Sequence, residues 1–136
     1  HAYDVLYGTY LGRTDRIPMT FTLHTLRLFA LLPYRVEAMR LTAPDAATVG
    51  RDAVLPARVE TIGDQPGLHW FRVDVTAPDG SVSAPCSGTV KAENGRADIV
   101  LPFALNDPAG EWTVRVQDVA SGRAESVALR LERNDR

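Results

Sequence analysis

Trp70-Phe71-Arg72-Val73-Asp74-Val75-Thr76-Ala77-Pro78-Asp79-Gly80 decides the fold. Phe71, Val73 and Val75 share one phase and Trp70, Arg72 and Asp74 the other, which is the two-residue period of a strand with one buried face. Pro78 then fixes a backbone angle and Gly80 tolerates positive φ, so the strand ends in a turn. The same alternation recurs downstream. Leu55, Ala57 and Val59 oppose Pro56, Arg58 and Glu60. Ala97, Ile99 and Leu101 oppose Arg96 and Asp98. Trp112, Val114 and Val116 oppose Thr113, Arg115 and Gln117, and Val127, Leu129 and Leu131 oppose Ala128, Arg130 and Glu132. Between these segments lie Asn94-Gly95, suited to a two-residue hairpin turn, the breaker-rich Asn106-Asp107-Pro108-Ala109-Gly110, and the short Ser121-Gly122 link. No segment has the spacing of an amphipathic helix. The pattern predicts an all-β, immunoglobulin-like antiparallel β-sandwich.

The first third has a different texture. Tyr3 to Leu11 and Ile17 to His24 read as a hairpin across Gly12 to Arg16. Leu26 to Leu32 is a nearly continuous apolar run that suits a strand buried on both faces. Pro33 interrupts it, and a further strand starts at Arg35. The expected division is therefore an N-terminal hairpin or arm over residues 1–34, or the remnant of a preceding β domain, and a sandwich over 35–136.

At 136 residues the chain can build one domain with a real core, or a domain of about 100 residues with an arm. Apolar residues at 45% and charged residues at 24% match ordinary soluble proteins. A net charge of −2 with interspersed signs offers no broad basic face, which argues against nucleic acid as a partner. No apolar run reaches the roughly 18 residues of a membrane-spanning helix. Cys86 is the single cysteine, so no internal disulfide can form and the thiol reads as a small apolar residue of unassigned role. A start at His1 without a leader reads as a processed or excised piece, for which a secreted, extracellular or periplasmic setting is expected.

Residues that could carry chemistry do not assemble in the sequence. His1, His24 and His69 lack the short spacing of zinc sites, and no metal or cofactor is expected. His69 shares the phase of Phe71 and reads as a partly buried strand-end residue. Ser81, Ser83, Ser87, Ser121 and Ser126 lack a glycine-flanked elbow and an evident base. The acidic residues fall on polar strand phases or in turns, so a carboxylate pair for glycoside cleavage has no support. Asp107, in the breaker-rich loop, reads as a turn-fixing side chain that bonds nearby amides, and Asp118, which ends the following strand, reads as structural too. No catalytic residue is expected.

Two surfaces remain as candidates. Leu26, Leu28, Phe29, Leu31 and Tyr34 would form an interface with neighbouring domains of a parent chain, or with a second copy of this one. Trp70, with the phase of polar residues, could form a carbohydrate-stacking platform with Tyr7 and Tyr10, whereas Trp112 has the phase of the core.

From about Arg51 to Glu132 the chain resembles macroglobulin-type and related bacterial immunoglobulin-like domains. The residues that carry this are Pro78-Asp79-Gly80, Asn94-Gly95, Leu101-Pro102 and Gly110-Glu111-Trp112-Thr113-Val114. A second set is Tyr3-Asp4-Val5 through Gly8, Leu11-Gly12, Phe29-Ala30-Leu31-Leu32-Pro33-Tyr34 and Ala104-Leu105-Asn106-Asp107-Pro108-Ala109-Gly110-Glu111-Trp112. It is similar to the C-terminal regions of large bacterial β-galactosidase-like glycoside hydrolases. That resemblance implies a non-catalytic accessory module whose catalytic domain lies elsewhere in the parent protein.

Overall fold

The computed structural model describes residues 1–134. Eleven strands follow one another: β1 (Ala2–Asp4), β2 (Thr9–Gly12), β3 (Phe29–Leu31), β4 (Arg35–Leu41), β5 (Ala47–Thr48), β6 (Asp52–Ile62), β7 (His69–Thr76), β8 (Gly88–Ala92), β9 (Arg96–Pro102), β10 (Gly110–Asp118) and β11 (Ala124–Glu132). They form a five-stranded sheet in the order β5-β11-β10-β7-β8, a three-stranded sheet β4-β6-β9, and a second three-stranded sheet β2-β1-β3 made by the N-terminal arm. Among the described residues there is no helix, and hence none long and apolar enough to cross a membrane. Every strand pair is antiparallel except β5 with β11. The chain is an all-β, immunoglobulin-like sandwich.

The two-residue period places the core. Phe71, Val73 and Val75 of β7, Trp112, Val114 and Val116 of β10, and Leu129 and Leu131 of β11 turn to the interior from the larger sheet. Val36, Met39 and Leu41 of β4, Ala53, Leu55, Ala57 and Val59 of β6, and Ile99 and Leu101 of β9 meet them from the smaller one. In β4 the register shifts between Val36 and Ala38, a bulge that lets Val36 and Met39 both face inward despite their odd spacing. Trp112 packs edge-on to Phe103 at 5.1 Å, and its ring N–H donates to the Pro108 carbonyl at 3.0 Å, so the largest core residue leaves no polar atom unpaired.

The structure corrects several expectations. Tyr3 to Leu11 is not one strand: the chain reverses after Asp4, whose Oδ1 accepts the Leu6 and Tyr7 amides at 3.1 and 3.3 Å, and returns as β2. The hairpin turn thus lies at residues 5–8 rather than at 12–16. Ile17 to His24 forms no strand, although its residues alternate. Of the run Leu26 to Leu32 only Phe29–Leu31 is strand, and it is not buried on both faces: Leu26 and Leu31 are 75% and 71% exposed. Asn94 and Gly95 make the expected turn with both φ angles positive, at 52° and 68°, but the turn carries the chain from β8 in one sheet to β9 in the other. A Cβ at Gly95 would lie 2.6 Å from Val59 and 2.7 Å from Pro66. β5 and β8 carry too few alternating apolar residues to be read in advance.

The arm sheet is fastened to the sandwich at one end. Tyr3 is buried in the shared core and its hydroxyl accepts the Val36 amide at 2.8 Å. The turn before β2 meets the turn between β10 and β11 backbone to backbone: a Cβ on Gly122 would stand 2.4 Å from the Gly8 Cα.

Candidate functional site

At that same end the structure gathers side chains from four parts of the sequence. His69 at the start of β7 places Nδ1 2.7 Å from Asp118 Oδ1 at the end of β10, and its Nε2 lies 2.8 Å from the Tyr34 hydroxyl. Asp118 Oδ2 accepts the Ser121 amide at 3.1 Å and the Ser121 hydroxyl at 2.5 Å. The Gly67 amide donates to the Tyr34 oxygen at 3.0 Å. Fixed backbone donors at both ends set the direction of the relay. With the Tyr34 oxygen accepting from Gly67, its own proton points to His69 Nε2, and Nδ1 carries the imidazole hydrogen that Asp118 accepts. All four side chains are buried.

The residue types are those of a nucleophilic triad, yet the wiring is different. The Ser121 hydroxyl donates to the carboxylate and makes no bond to the imidazole, while a tyrosine occupies the imidazole nitrogen that would serve as base. Each group is saturated. Asp107 fixes its own loop as expected by accepting the Ala104 amide at 2.7 Å, and Asp118 accepts the Ser121 amide three residues on. The strand phase of His69 puts it on the buried side, but no local pattern shows the relay, whose members are 49, 35 and 3 positions apart.

Other reactive types are equally occupied. Burial pushes the Cys86 thiol up from its ordinary pKa, which lowers its thiolate fraction and makes it a poor nucleophile. On the outer face of the smaller sheet Arg40, Arg58 and Arg96 stand in register across three strands. Glu60 bridges Arg40 and Arg58 at 3.2 Å each, and those hydrogen bonds hold its carboxyl below the usual range. An open groove of about 380 Å³ runs over this row. Among the described residues no three His, Cys, Asp or Glu side chains converge as metal ligands would.

The candidate surfaces divide as follows. Leu26, Leu28 and Leu31 are exposed and Phe29 is half-buried. Tyr34 is not part of that surface: it is 4% exposed and committed to His69, which corrects its place in the proposed interface. The exposed apolar surface instead extends to residues not anticipated, Phe21 at 72% and Leu23 at 91%. Trp70 is 47% exposed and Tyr7 is 74% exposed. Tyr10 is half-buried, with its hydroxyl 2.6 Å from His1 Nδ1, its ring 5.1 Å from that of Tyr3, and the Arg35 guanidinium 4.7 Å above it. Its ring is thus engaged from within the protein, and among the described residues no ring contact joins Trp70 to Tyr7 or Tyr10.

A charged pair holds the arm's loop down. Arg27 donates to Asp4 Oδ2 at 3.0 Å and lies 5.5 Å from the Phe29 ring and 6.0 Å from that of Tyr7.

No family model matches this chain, and no curated protein matches it. Among solved structures it is similar to a CARDB domain from Pyrococcus furiosus, solved in complex with di-metal ions. The identity is 11% and the TM-score 0.48, over 72% of this chain and 93% of that one.

Proposed function

We propose that the chain is a non-catalytic interaction module of a larger protein, whose N-terminal arm packs against a neighbouring domain. The observation that carries this is the exposure of Phe21, Leu23, Leu26, Leu28 and Leu31 within one short segment, next to the exposed Tyr7. Scattered apolar residues on a surface need no explanation, but so dense a run is the signature of a contact face. The saturated, buried relay around His69 fits a structural role in the same module, since it positions the arm's exit at Tyr34 and offers no free acid, base or nucleophile. The resemblance of the arm and of residues 104–112 to C-terminal regions of large bacterial β-galactosidase-like glycoside hydrolases is the ground for reading the parent as a secreted bacterial protein of that kind.

Hydrogen exchange tests the docking directly. Amides from Phe21 to Leu31 are expected to exchange at least about tenfold more slowly in the product of the full reading frame than in this 136-residue chain, because burial against a partner lowers local opening. Equal exchange in both, or a reading frame that adds no further domain, would retire the proposal.

A further inference from the structure

Sixteen residues, Arg13 to Leu28, separate β2 from β3 without strand pairing, a length at which loops of compact domains are usually functional or unfolded. Within them a reverse turn is already formed. The Thr25 amide donates to the Thr22 carbonyl at 3.2 Å, the two threonine hydroxyls are in contact, and His24 has a φ of +71°. A turn between Thr22 and Thr25 fixes the register its flanks would adopt if they paired. Thr20 would face Arg27 and Pro18 would face Phe29 at hydrogen-bonded positions, the proline accepting from the Phe29 amide but having no N–H to return, with Met19 opposite Leu28, Phe21 opposite Leu26 and Ile17 opposite Ala30 between them.

Two independent features agree with that register. The first is the bonding parity of β3. The Val5 amide bonds the Leu28 carbonyl at 2.9 Å, and Leu32 and His1 exchange bonds at 2.8 and 2.7 Å, so residues 28, 30 and 32 turn their backbone groups toward β1. The backbone groups of Arg27, Phe29 and Leu31 therefore face the free edge, where Thr20 and Pro18 would meet Arg27 and Phe29. The second is composition: the non-hydrogen-bonded pairs Ile17 with Ala30, Met19 with Leu28 and Phe21 with Leu26 are all apolar, and all fall on the side of the sheet that carries Tyr3.

We infer that Ile17 to Thr22 is a latent strand that zips onto the free edge of β3 in this register, converting the arm into a four-stranded sheet with one continuous apolar face. The structure also contains the reason it is open. Leu23 has a negative φ and His24 a positive one, so the turn is not of the class whose twist matches antiparallel strands, and its flanks splay. At the far end the Thr14 hydroxyl accepts the Arg16 amide at 3.0 Å and donates to the Arg16 carbonyl at 2.9 Å, which stops pairing beyond Ile17. That face begins where Tyr3, Ala30 and Leu32 pack against the sandwich and continues outward through Leu28, Leu26, Met19 and Phe21, which are the residues left to meet a neighbouring domain; in that respect the inference rests on the docking reading.

Disulfide trapping tests it in the whole chain with Cys86→Ala as background. Met19→Cys with Leu28→Cys should cross-link at least about tenfold faster under mild oxidation than the out-of-register Thr20→Cys with Leu28→Cys, because pairing raises the effective concentration of one pair only. Leu23→Asn with His24→Gly, which supplies a turn of matching twist, should speed the in-register cross-link further. In the unmodified chain the Hα protons of Met19 and Leu28 should show a cross-strand Overhauser contact. Equal rates for both cysteine pairs, with no such contact, overturn the latent strand while leaving the docking test intact. In-register cross-linking with unchanged hydrogen exchange in the longer product retires docking alone.

Discussion

At Asp118 one oxygen serves an imidazole and the other serves an amide and a hydroxyl, so a single carboxylate satisfies three donors in a dry interior. Asp118→Ala would leave His69 Nδ1–H and both Ser121 donors without acceptors. A buried donor left unsatisfied costs about 1–3 kcal/mol. A urea titration of the variant should show a loss in that range, and a loss below about 1 kcal/mol would mean that water or rearrangement replaces the carboxylate. The sequence exposed part of this site. The phase of His69 puts it inside, and the position of Asp118 at the end of a strand suggests a structural role, but nothing in a linear pattern brings Tyr34 to His69. That contact depends on where the arm's exit crosses the sandwich end, a tertiary fact with no local period.

At the scale of elements, the turns between strands separate what local chemistry settles from what packing settles. Asn94-Gly95 adopts the conformation its residue types favour, yet it joins two sheets because β8 pairs with β7 and β9 with β6, and Val59 and Pro66 leave no room for a Cβ at Gly95. Gly122 is constrained by both causes at once, with a φ of +77° and the Gly8 backbone against it. Gly80, at +86° with nothing within 4 Å, isolates the conformational part. Gly80→Ala should cost about 1 kcal/mol, the penalty of a left-handed backbone for an L-residue. Gly122→Ala should cost clearly more in the same denaturation assay and shift the resonances of Tyr3, since the arm's turn has to move away. Equal costs would show that the arm yields freely. The long strands β6, β7, β9, β10 and β11 were legible because a buried face imposes alternation on every second residue. Ile17 to His24 alternates just as well, and failed as a strand because alternation specifies a face and not a partner.

For the molecule as a whole, Tyr3 links arm and sandwich through a bond that responds to alkali. Burial raises its pKa above the ordinary 10.0, which means the folded state holds the phenolic proton more tightly than the unfolded chain does. The stability that Tyr3 contributes is therefore fully present below its ordinary value, and is lost as pH rises through the raised one. Tyr3→Phe leaves the Val36 amide unpaired and should cost about 1–3 kcal/mol at neutral pH. By pH 11, reckoned as about one unit above the free phenol, the gap between wild type and variant should narrow in paired urea titrations, and a constant gap would remove Tyr3 from the alkaline response.

The shared anchoring also governs where this polypeptide can be cut. A fragment starting at Arg35 would keep all eight strands from β4 to β11, yet it would lack the phenol that bonds the Val36 amide and the ring that caps His69. Dissection at the apparent arm boundary would thus unmake part of the interior, and Tyr3 and Tyr34 belong to any autonomous folding unit made from the C-terminal strands.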